Sequence, residues 1–310
     1  MEIRKRILPE PGFSGVAERA LWRECFGGIP SDAEVDIFIS GRERVHNVDV
    51  LFSAEEPGEL LATCHLTIDR RTGLGGLGEV AVAAAHRGRG LGRAVCEAAL
   101  EEFDSGGGWA IFLATGNPAA AALYSSLGFS FLPGSRVMLR CTGSQVEFFR
   151  RYFCGGAIRV EAGTPSFRVP VIPLALYGHG LTVLDANAEI FGTEFITQGA
   201  CMGLYPRYAH FVPGRLFVAR GDAGEISGAA TLKQGENCWY GDLFAHRDYP
   251  EAWPRLLEIL RSTAGADLRI PVFDEVKRQA LAEAGARPDG TTLPVALHFG
   301  FTAAAELYRF

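Results

Sequence analysis

The sequence predicts an α+β fold (helices mixed with strands of an α/β mixed sheet), and it predicts this fold twice along the chain. Short apolar runs bounded by glycine or proline alternate with longer segments whose apolar residues recur at helical spacing. In the first half the order is β-α-α-β-β-β-α-β-α-β-β, which places helices and strands around one sheet. A fainter copy follows in the second half, and a period near ~160 residues predicts a tandem repeat.

The individual elements follow from periodicity and turn chemistry. A strand is predicted over Glu2–Leu8 and a helix over Ser14–Cys25, and Ser31 opens a second helix with Glu34 at capping-box spacing. The later elements are expected in this order: strands Val48–Ala54 and Leu60–Ile68, a glycine-rich connector Gly73–Gly78, a strand Glu79–Ala83, a helix Leu91–Phe103, a strand Trp109–Ala114, a short helix after Asn117, and strands Phe129–Leu132 and Arg136–Arg140.

Composition narrows the functional class. The 310 residues are 48% hydrophobic and 21% charged, with a net charge of -6, which argues against a nucleic-acid partner because a phosphate backbone needs a basic face. Seven cysteines without a C-x-x-C pair indicate neither a disulfide framework nor a zinc site. A charged N-terminus and the lack of a long apolar run predict a cytoplasmic protein that does not enter a membrane. His179, His210 and His298 show no ligand spacing, so no metal site is expected.

The strongest chemical feature is a basic glycine-rich turn between a strand and a helix, His86–Gly92. Glycines at 88, 90 and 92 leave the backbone N–H groups free to close on an anion. The helix that begins there points the positive end of its dipole to the same place. This combination predicts a cradle for a pyrophosphate. By itself it also fits a tight strand-to-helix turn.

A second motif lies about 30 residues further on: Asn117 starts a run that continues through Leu123-Tyr124 to Leu127-Gly128-Phe129. Together with Arg87-x-x-Gly90-x-Gly92, it resembles the two signatures of the GNAT superfamily of N-acetyltransferases, in the family's order and separation. The resemblance covers roughly residues 1–141. It implies the GNAT acyl-CoA N-acyltransferase fold and acetyl-CoA as co-substrate, with no metal.

The resemblance also implies roles for individual residues. The backbone of the strand before the turn is expected to hold the pantetheine arm of the cofactor and to donate an N–H to the developing oxyanion. Tyr124 corresponds to the family's general acid, although it also fits a core aromatic. Asn117 fits a cofactor contact and a helix cap equally well. The expected cofactor-binding residues are Val80, Ala81, Val82, Arg87, Gly88, Arg89, Gly90, Leu91, Gly92, Asn117 and Tyr124.

The general base is less defined by the sequence. Glu79 lies on the strand that leads into the turn, where family members often carry an acidic residue, and it is expected to face the same way as Ala81. It also fits a solvated residue at a strand end. His65 on the preceding strand is a second candidate, although a lone histidine there is more often a core residue. Glu79 acting through bound water is a further possibility.

The second half resembles the first in pattern only. Gly241-Asp242-Leu243-Phe244 parallels Gly78-Glu79-Val80-Ala81, and the helical stretch Trp253–Leu260 parallels Gly90–Ala98. On this alignment Pro250, Trp253, Arg255 and Leu281 replace Arg87, Gly90, Gly92 and Tyr124, so the second copy is expected to bind no CoA. His246–Tyr249 fits an exposed turn better than a substrate rim. The predicted domains are 1–141 (catalytic), 142–163 (linker) and 164–310 (degenerate).

We therefore expect an N-acetyltransferase that moves an acetyl or other acyl group from acetyl-CoA to a primary amine of a small molecule. Two other functions stay open: a protein or peptide N-acetyltransferase, and a CoA-binding regulatory module without turnover. Tyr124 argues against the module, because a binder needs no proton donor. Two lobes in one chain favour a monomer. The acceptor and the acyl chain length stay open.

Overall fold

The computed structural model describes residues 1–27, 32–41, 45–192, 207–208, 211, 214–296 and 302–310. Cys201, His210, His298 and the predicted cap Ser31 lie outside these residues, as does the side chain of Glu34. The chain divides into two compact units, the first made of Met1–Ser130 and Val137–Ser144, the second of Phe131–Arg136 and Gln145–Phe310.

The first unit has its elements in the predicted order. They are β1 (Glu2–Leu8), α1 (Val16–Phe26), α2 (Asp32–Ile39), β2 (Asn47–Glu56), β3 (Glu59–Asp69), β4 (Leu74–Val82), α3 (Leu91–Ser105), β5 (Ala110–Ala114), α4 (Pro118–Ser126), β6 (Ser130–Phe131) and β7 (Val137–Cys141). One cluster of buried side chains lies between the sheet and helices α3 and α4. A second cluster lies on the face of the sheet that α1 and α2 cover.

The expected glycine-rich connector Gly73–Gly78 is wrong, because β4 begins at Leu74. Glycine weakens a strand unless another group needs the space of its side chain. Here Phe103 of α3 needs it: a Cβ atom on Gly75 would lie 2.7 Å from the Phe103 ring. The glycines therefore let α3 pack closely on the middle of the sheet.

The second unit contains the remaining elements. They are α5 (Gln145–Tyr152), β8 (Ile158–Ala162), α6 (Val171–Leu176), β9 (Val183–Asp185), β10 (Ile190–Phe191), β11 (Leu216–Gly221), β12 (Ile226–Gln234), β13 (Trp239–Ala245), α7 (Ala252–Ala264), β14 (Leu268–Val272), α8 (Glu275–Glu283), β15 (Arg287–Ala296) and β16 (Thr302–Arg309). Strand β8 belongs to the second sheet, so the segment 142–163, predicted as a linker, contributes an element of this fold.

The two units have the same topology. Within the described residues, the strand orders are β1-β2-β3-β4-β5-β7-β6 and β8-β11-β12-β13-β14-β16-β15. The parallel pairs β4–β5 and β13–β14 occupy equivalent places, and each pair is connected by a long helix, α3 or α7. The second unit therefore repeats the fold of the first, as the sequence predicts.

Candidate functional site

Strand β4 is the scaffold of the candidate site. Its parallel pairing with β5 runs from Leu74 only to Gly76, so the rest of β4 continues beyond the ladder. On the other side, the register with β3 shifts between Thr63 and His65, which is a β-bulge, and Glu79 has a φ of 48°. A bulge next to the end of a ladder bends a strand and redirects a side chain. It is Glu79 that this bulge redirects.

Side chains from two elements hold the bulge in place. Thr63 Oγ1 donates a hydrogen bond of 2.8 Å to the Glu79 carbonyl, and Trp22 Nε1 on α1 donates one of 2.8 Å to Thr63 Oγ1. Thr63 and Trp22 are both buried. A positive φ on a residue other than glycine costs about 1–3 kcal/mol and persists where surrounding contacts fix it. These contacts fix the backbone of Glu79.

The glycine-rich turn forms an open cradle at the start of α3. Gly88 and Gly90 have φ values of 77° and 79°, and Gly90 is the N-cap of the helix. A Cβ atom added at either glycine would meet no atom of the described residues within 4 Å, so the space in front of the turn is open in this part of the structure. The unpaired N–H groups and the dipole of a 15-residue helix converge there. The geometry fits the predicted anion site.

The two arginines of the turn make contacts within the first unit. Arg87 Nε donates to the Val82 carbonyl at 3.2 Å, and this arginine also contacts Cys25 Sγ at 3.8 Å. Arg89 contacts His86 Nδ1 at 2.6 Å and Glu56 at 3.6 Å. Both side chains are exposed, so an anion in the cradle would compete with these contacts for the guanidinium groups.

Asn117 caps helix α4. Its Oδ1 accepts hydrogen bonds from the backbone N–H groups of Ala119 (2.9 Å) and Ala120 (3.5 Å). Of the two roles that the sequence leaves open, the structure confirms the cap. A contact with a cofactor stays a prediction.

Tyr124, two residues before the end of α4, is 7% exposed and packs edge-on against Phe129 at 6.1 Å between ring centres. Burial, with Cys96 and Cys64 nearby, raises the pKa of Tyr124 well above its usual range. The hydroxyl therefore keeps its proton at physiological pH. This protonation state is the one that a proton donor needs.

Glu79, His65 and Asp49 form a continuous hydrogen-bonded chain. His65 Nδ1 lies 2.8 Å from Glu79 Oε2, and His65 Nε2 lies 2.9 Å from Asp49 Oδ1. Thr67 donates a further hydrogen bond of 2.7 Å to the same Asp49 oxygen, and Phe38 stacks on the imidazole at 4.1 Å. The side chains of His65 and Asp49 are 1% and 3% exposed, whereas that of Glu79 is 13% exposed. Glu79 is thus the accessible end of this chain.

The two carboxylates beside His65 favour the charged form of its imidazole. Burial alone lowers the pKa of His65, but hydrogen bonds to Asp49 and Glu79 outweigh that effect and raise the pKa above its ordinary value. An imidazolium between two carboxylates donates to both, which orients the Glu79 carboxylate. The two base candidates of the sequence analysis are therefore parts of one network.

Replacing His65 with glutamine should destabilise the protein more at pH 6 than at pH 9. A group with a raised pKa in the folded state stabilises the fold fully below its unfolded pKa, near ~6.5, and this contribution disappears as the pH rises through the folded pKa. We expect the unfolding midpoint to fall by roughly 5–10 °C at pH 6, measured by thermal unfolding. His86→Gln, which breaks a pair with Glu59 nearer the surface, is the control. A larger effect at pH 9 would contradict the assignment of charge.

Asp49 is a residue of this network that the sequence pattern does not single out. The available signal in the sequence is a lone acidic residue in the apolar run Val48–Ala54. In the structure β2 and β3 pair directly, and Asp49 lies opposite Thr67. That register places Asp49, His65 and Thr67 on one face of neighbouring strands. The sequence predicts that the two strands follow each other along the chain, but it does not predict their register.

The second unit differs from the first in the length of the segment before its long helix, in the strand pairing and in the N-cap of that helix. From the start of β4 to the start of α3 the chain runs 17 residues, but from the start of β13 to the start of α7 it runs 13. The pairing of β12 with β13 is continuous from Gly228 to Gln234, without a bulge. The N-cap of α7 is Glu251, with a φ of -75°. A carboxylate therefore stands where the first unit has an open glycine.

These observations correct the alignment of the repeats. Counted from the first residue of each parallel pair, Asp242 takes the place of Leu77 and not that of Glu79. Counted from the helix starts, Trp253 takes the place of Gly92 and not that of Gly90. Leu281 does occupy the position of Tyr124, because α4 and α8 align from their first residues. That the second unit binds no CoA stays a prediction.

The family of the first unit follows from comparison with known proteins. Residues 17–129 match the model of the acetyltransferase (GNAT) family. This part of the chain belongs to the GNAT family. The match contains β4, the glycine cradle, α3 and α4, and thus every candidate site residue that the sequence predicts. A search of curated protein sequences finds no match.

Solved structures similar to the chain include three acetyltransferases, all at low identity. An IAA acetyltransferase from Bacillus cereus is 18% identical over 42% of this chain and 77% of its own, with a TM-score of 0.32. A GNAT family acetyltransferase from Brucella melitensis in complex with acetyl-CoA is 19% identical over 46% and 90%, with a TM-score of 0.35. An N-acetyltransferase from Kribbella flavida is 21% identical over 45% and 98%, with a TM-score of 0.35.

Two further findings concern metals and membranes. Among the residues that the structure describes, no group of three or more histidine, cysteine, aspartate or glutamate side chains is arranged to hold a metal ion. No helix in the described part of the chain is both long and apolar enough to span a membrane.

Proposed function

We propose that the GNAT domain transfers an acetyl or similar acyl group from acetyl-CoA to the primary amine of a small molecule. The observation that carries the proposal is the β4 bulge, which redirects Glu79 on the strand that runs from the end of the β4–β5 ladder into the open glycine turn. A carboxylate that accepts a proton and a site for the cofactor's pyrophosphate are the two parts that such a transfer needs.

The residues of the domain fit acetyl-CoA, which supplies the acyl group as an activated thioester. Gly88, Gly90 and the N-terminus of α3 would hold the pyrophosphate, and Arg87 and Arg89 would add positive charge. Backbone groups of Val80, Ala81 and Val82, beyond the end of the ladder, would bind the pantetheine arm. A Cβ atom at Gly92 would lie 3.4 Å from Val82, so a larger residue there would press on this strand.

Glu79 is the proposed general base. An amine attacks a carbonyl carbon through its nitrogen lone pair, so the ammonium form must first lose a proton, and Glu79 takes it. His65 and Asp49 act behind Glu79 as positioning residues that hold its carboxylate in place. A backbone N–H of the Val80–Val82 segment stabilises the oxyanion that develops on the carbonyl oxygen.

Tyr124 is the proposed general acid. When the carbon–sulfur bond breaks, the departing sulfur needs a proton, and the Tyr124 hydroxyl donates it. In addition to burial, Glu79 raises the pKa of the Cys64 thiol, and Cys64 in turn raises the pKa of Tyr124, so the donor and the acceptor both lie near this cysteine. The proton from the amine goes to Glu79, and the proton on the sulfur comes from Tyr124.

Replacing Glu79 with glutamine should lower the rate of CoA release by roughly 10²–10⁴-fold, the usual contribution of a general base. The amide keeps the size of the side chain but cannot take the proton. The measurement is thiol release from acetyl-CoA across a panel of small primary amines and short peptides, together with acetyl-CoA affinity by calorimetry, which should not change.

Glu97→Gln on the exposed side of α3 is the matched control and should leave the rate unchanged. A Glu79→Gln variant as fast as the native protein would remove Glu79 from the mechanism. Acetylation of peptides but not of small amines would favour a protein acceptor instead. Acetyl-CoA binding with no release for any acceptor would favour the regulatory module.

A further inference from the structure

The second unit contains a cavity of about 710 Å³. One side is formed by helix α5, another by the chain just after α6, a third by the segment 246–248 that directly follows β13, and a fourth by residues 132–134, which belong to the second unit. Ligands of α/β sheets often bind beyond the carboxyl ends of parallel strands, where the chain leaves the sheet. Strand β13 is a member of the parallel pair in this sheet, so the cavity lies at such a strand end.

The walls of the cavity are aromatic and tightly packed. The rings of Phe153 and His246 stack at 3.9 Å between centres, and Tyr177 lies 4.0 Å from His246 on a tilted plane. Phe149 contacts both Phe153 (6.4 Å) and Tyr177 (6.1 Å). Phe153 and His246 are 4% and 2% exposed. Interlocked rings of this kind hold a preformed apolar pocket open for the body of a ligand.

His246 was expected in an exposed turn, and its burial makes that expectation wrong for this residue. Its Nδ1 accepts a hydrogen bond of 3.2 Å from the backbone N–H of Asp248, and burial lowers the pKa of His246 to about 4. In the neutral ring the proton is therefore on Nε2. Nε2 is buried and has no hydrogen-bond partner among the described residues, which is uncommon unless a partner is still to be supplied.

The rim of the cavity is positively charged. Among the described lining residues, Arg150 and Arg247 contribute two guanidinium groups and Asp248 contributes a carboxylate. The Arg247 side chain is 80% exposed, approaches Asp248 only to 3.9 Å and lies 5.8 Å from the centre of the Tyr177 ring. In a chain with a net charge of -6, an excess of positive charge beside an apolar pocket favours an anion with an apolar body.

We propose that this cavity binds a small apolar carboxylate, with the apolar body against Phe149, Phe153 and Tyr177 and the carboxylate at Arg150 and Arg247. The site belongs to the second unit alone and does not depend on the function proposed for the GNAT domain. The first copy of the fold would then bind its cofactor at a glycine-rich turn, and the second copy would bind an apolar carboxylate in a pocket.

The first test uses three probes of one size on the full chain: 4-phenylbutyrate, 4-phenylbutanol and 4-phenylbutylamine. We expect the carboxylate to bind at one site per chain with a Kd on the order of 1 mM or tighter, by calorimetry and ligand-observed NMR. The alcohol should bind at least about fivefold more weakly and the amine more weakly still. Saturating acetyl-CoA should not displace the carboxylate. Equal binding of all three probes, or displacement by acetyl-CoA, would overturn the proposal.

Val146 offers a matched set of variants. It lines the cavity on α5 but is 67% exposed, so substitution there should not disturb the core. We expect Val146→Asp to weaken 4-phenylbutyrate binding about tenfold relative to Val146→Asn, because only the aspartate repels the carboxylate. Val146→Lys should strengthen it. Arg159→Gln, on an exposed part of β8, should have no effect. Equal affinities for the aspartate and asparagine variants would refute the placement of the carboxylate.

Discussion

Acetyl-CoA should not bind measurably to the Gly90→Glu variant, with affinity reduced by at least about 100-fold. The new side chain would have room, since no atom in the described part of the chain lies within 4 Å of a Cβ at this position. Its carboxylate would occupy the anion cradle at the N-terminus of α3, where the helix dipole otherwise attracts the pyrophosphate. Repulsion between like charges at contact distance opposes binding directly. Isothermal titration calorimetry of the whole chain measures the loss.

The same helix supplies the control. Gly107, just past the other end of α3, has a φ of 77° and equally open surroundings. Gly107→Glu therefore carries the same backbone strain, about 1–2 kcal/mol, and the same charge, but at a distance from the cradle. Gly90→Ala separates strain from charge at the site itself. If the Gly107 variant lost affinity to the same degree, the loss would be due to destabilisation and not to the cradle.

This titration also decides what the second unit does with CoA. One site per chain that disappears in Gly90→Glu agrees with a second unit whose turn is two residues shorter and whose helix has Glu251 as its N-cap. A site that remains in the variant would show that the second unit binds the cofactor by other means. The shorter turn and the N-cap Glu251 would then not prevent CoA binding.

The turn and the signature on α4 could be predicted from sequence because both depend on local chemistry. Gly88 and Gly90 adopt positive φ, and Asn117 caps a helix, and each of these roles belongs to the residue type itself. The Glu79–His65–Asp49 network depends instead on strand register and on one bulge. A shift of a single residue would turn Asp49 away from His65, and the apolar pattern does not fix the register here because consecutive residues of β2 and β3 are buried on both faces.

The second unit was harder to predict for a related reason. Lys277 lies on α8, where a lysine is normally solvated, yet it is fully buried with Asp242 at 2.5 Å. Asp185 lies near by, and burial and the charge of Asp242 raise its pKa to about 7. Buried charges remain only where partners compensate for their desolvation. Asp242 takes the position in the second unit that Leu77 has in the first. The apolar pattern by which a repeat is recognised is therefore interrupted at this position.

The Tyr124→Phe variant should turn over roughly 10²–10⁴-fold more slowly than the native protein while binding acetyl-CoA equally well. Phenylalanine keeps the ring that packs against Phe129 and removes only the hydroxyl. Among the described residues this hydroxyl makes no hydrogen bond, so its loss should leave the unfolding midpoint nearly unchanged. A large kinetic effect without a change in stability or in cofactor affinity is what separates a proton donor from a packing residue.

The leaving group provides a second readout for the same variant. Without a proton donor, the sulfur must depart as a thiolate, so an acyl donor whose thiol has a lower pKa should recover part of the lost rate. An acetyl thioester of an aromatic thiol, compared with acetyl-CoA in the native and Tyr124→Phe proteins, makes the measurement. If Tyr124 is only a packing residue, the substitution should change the rates with both acyl donors by the same factor. Selective recovery with the aromatic thiol would place the Tyr124 hydroxyl at the departing sulfur.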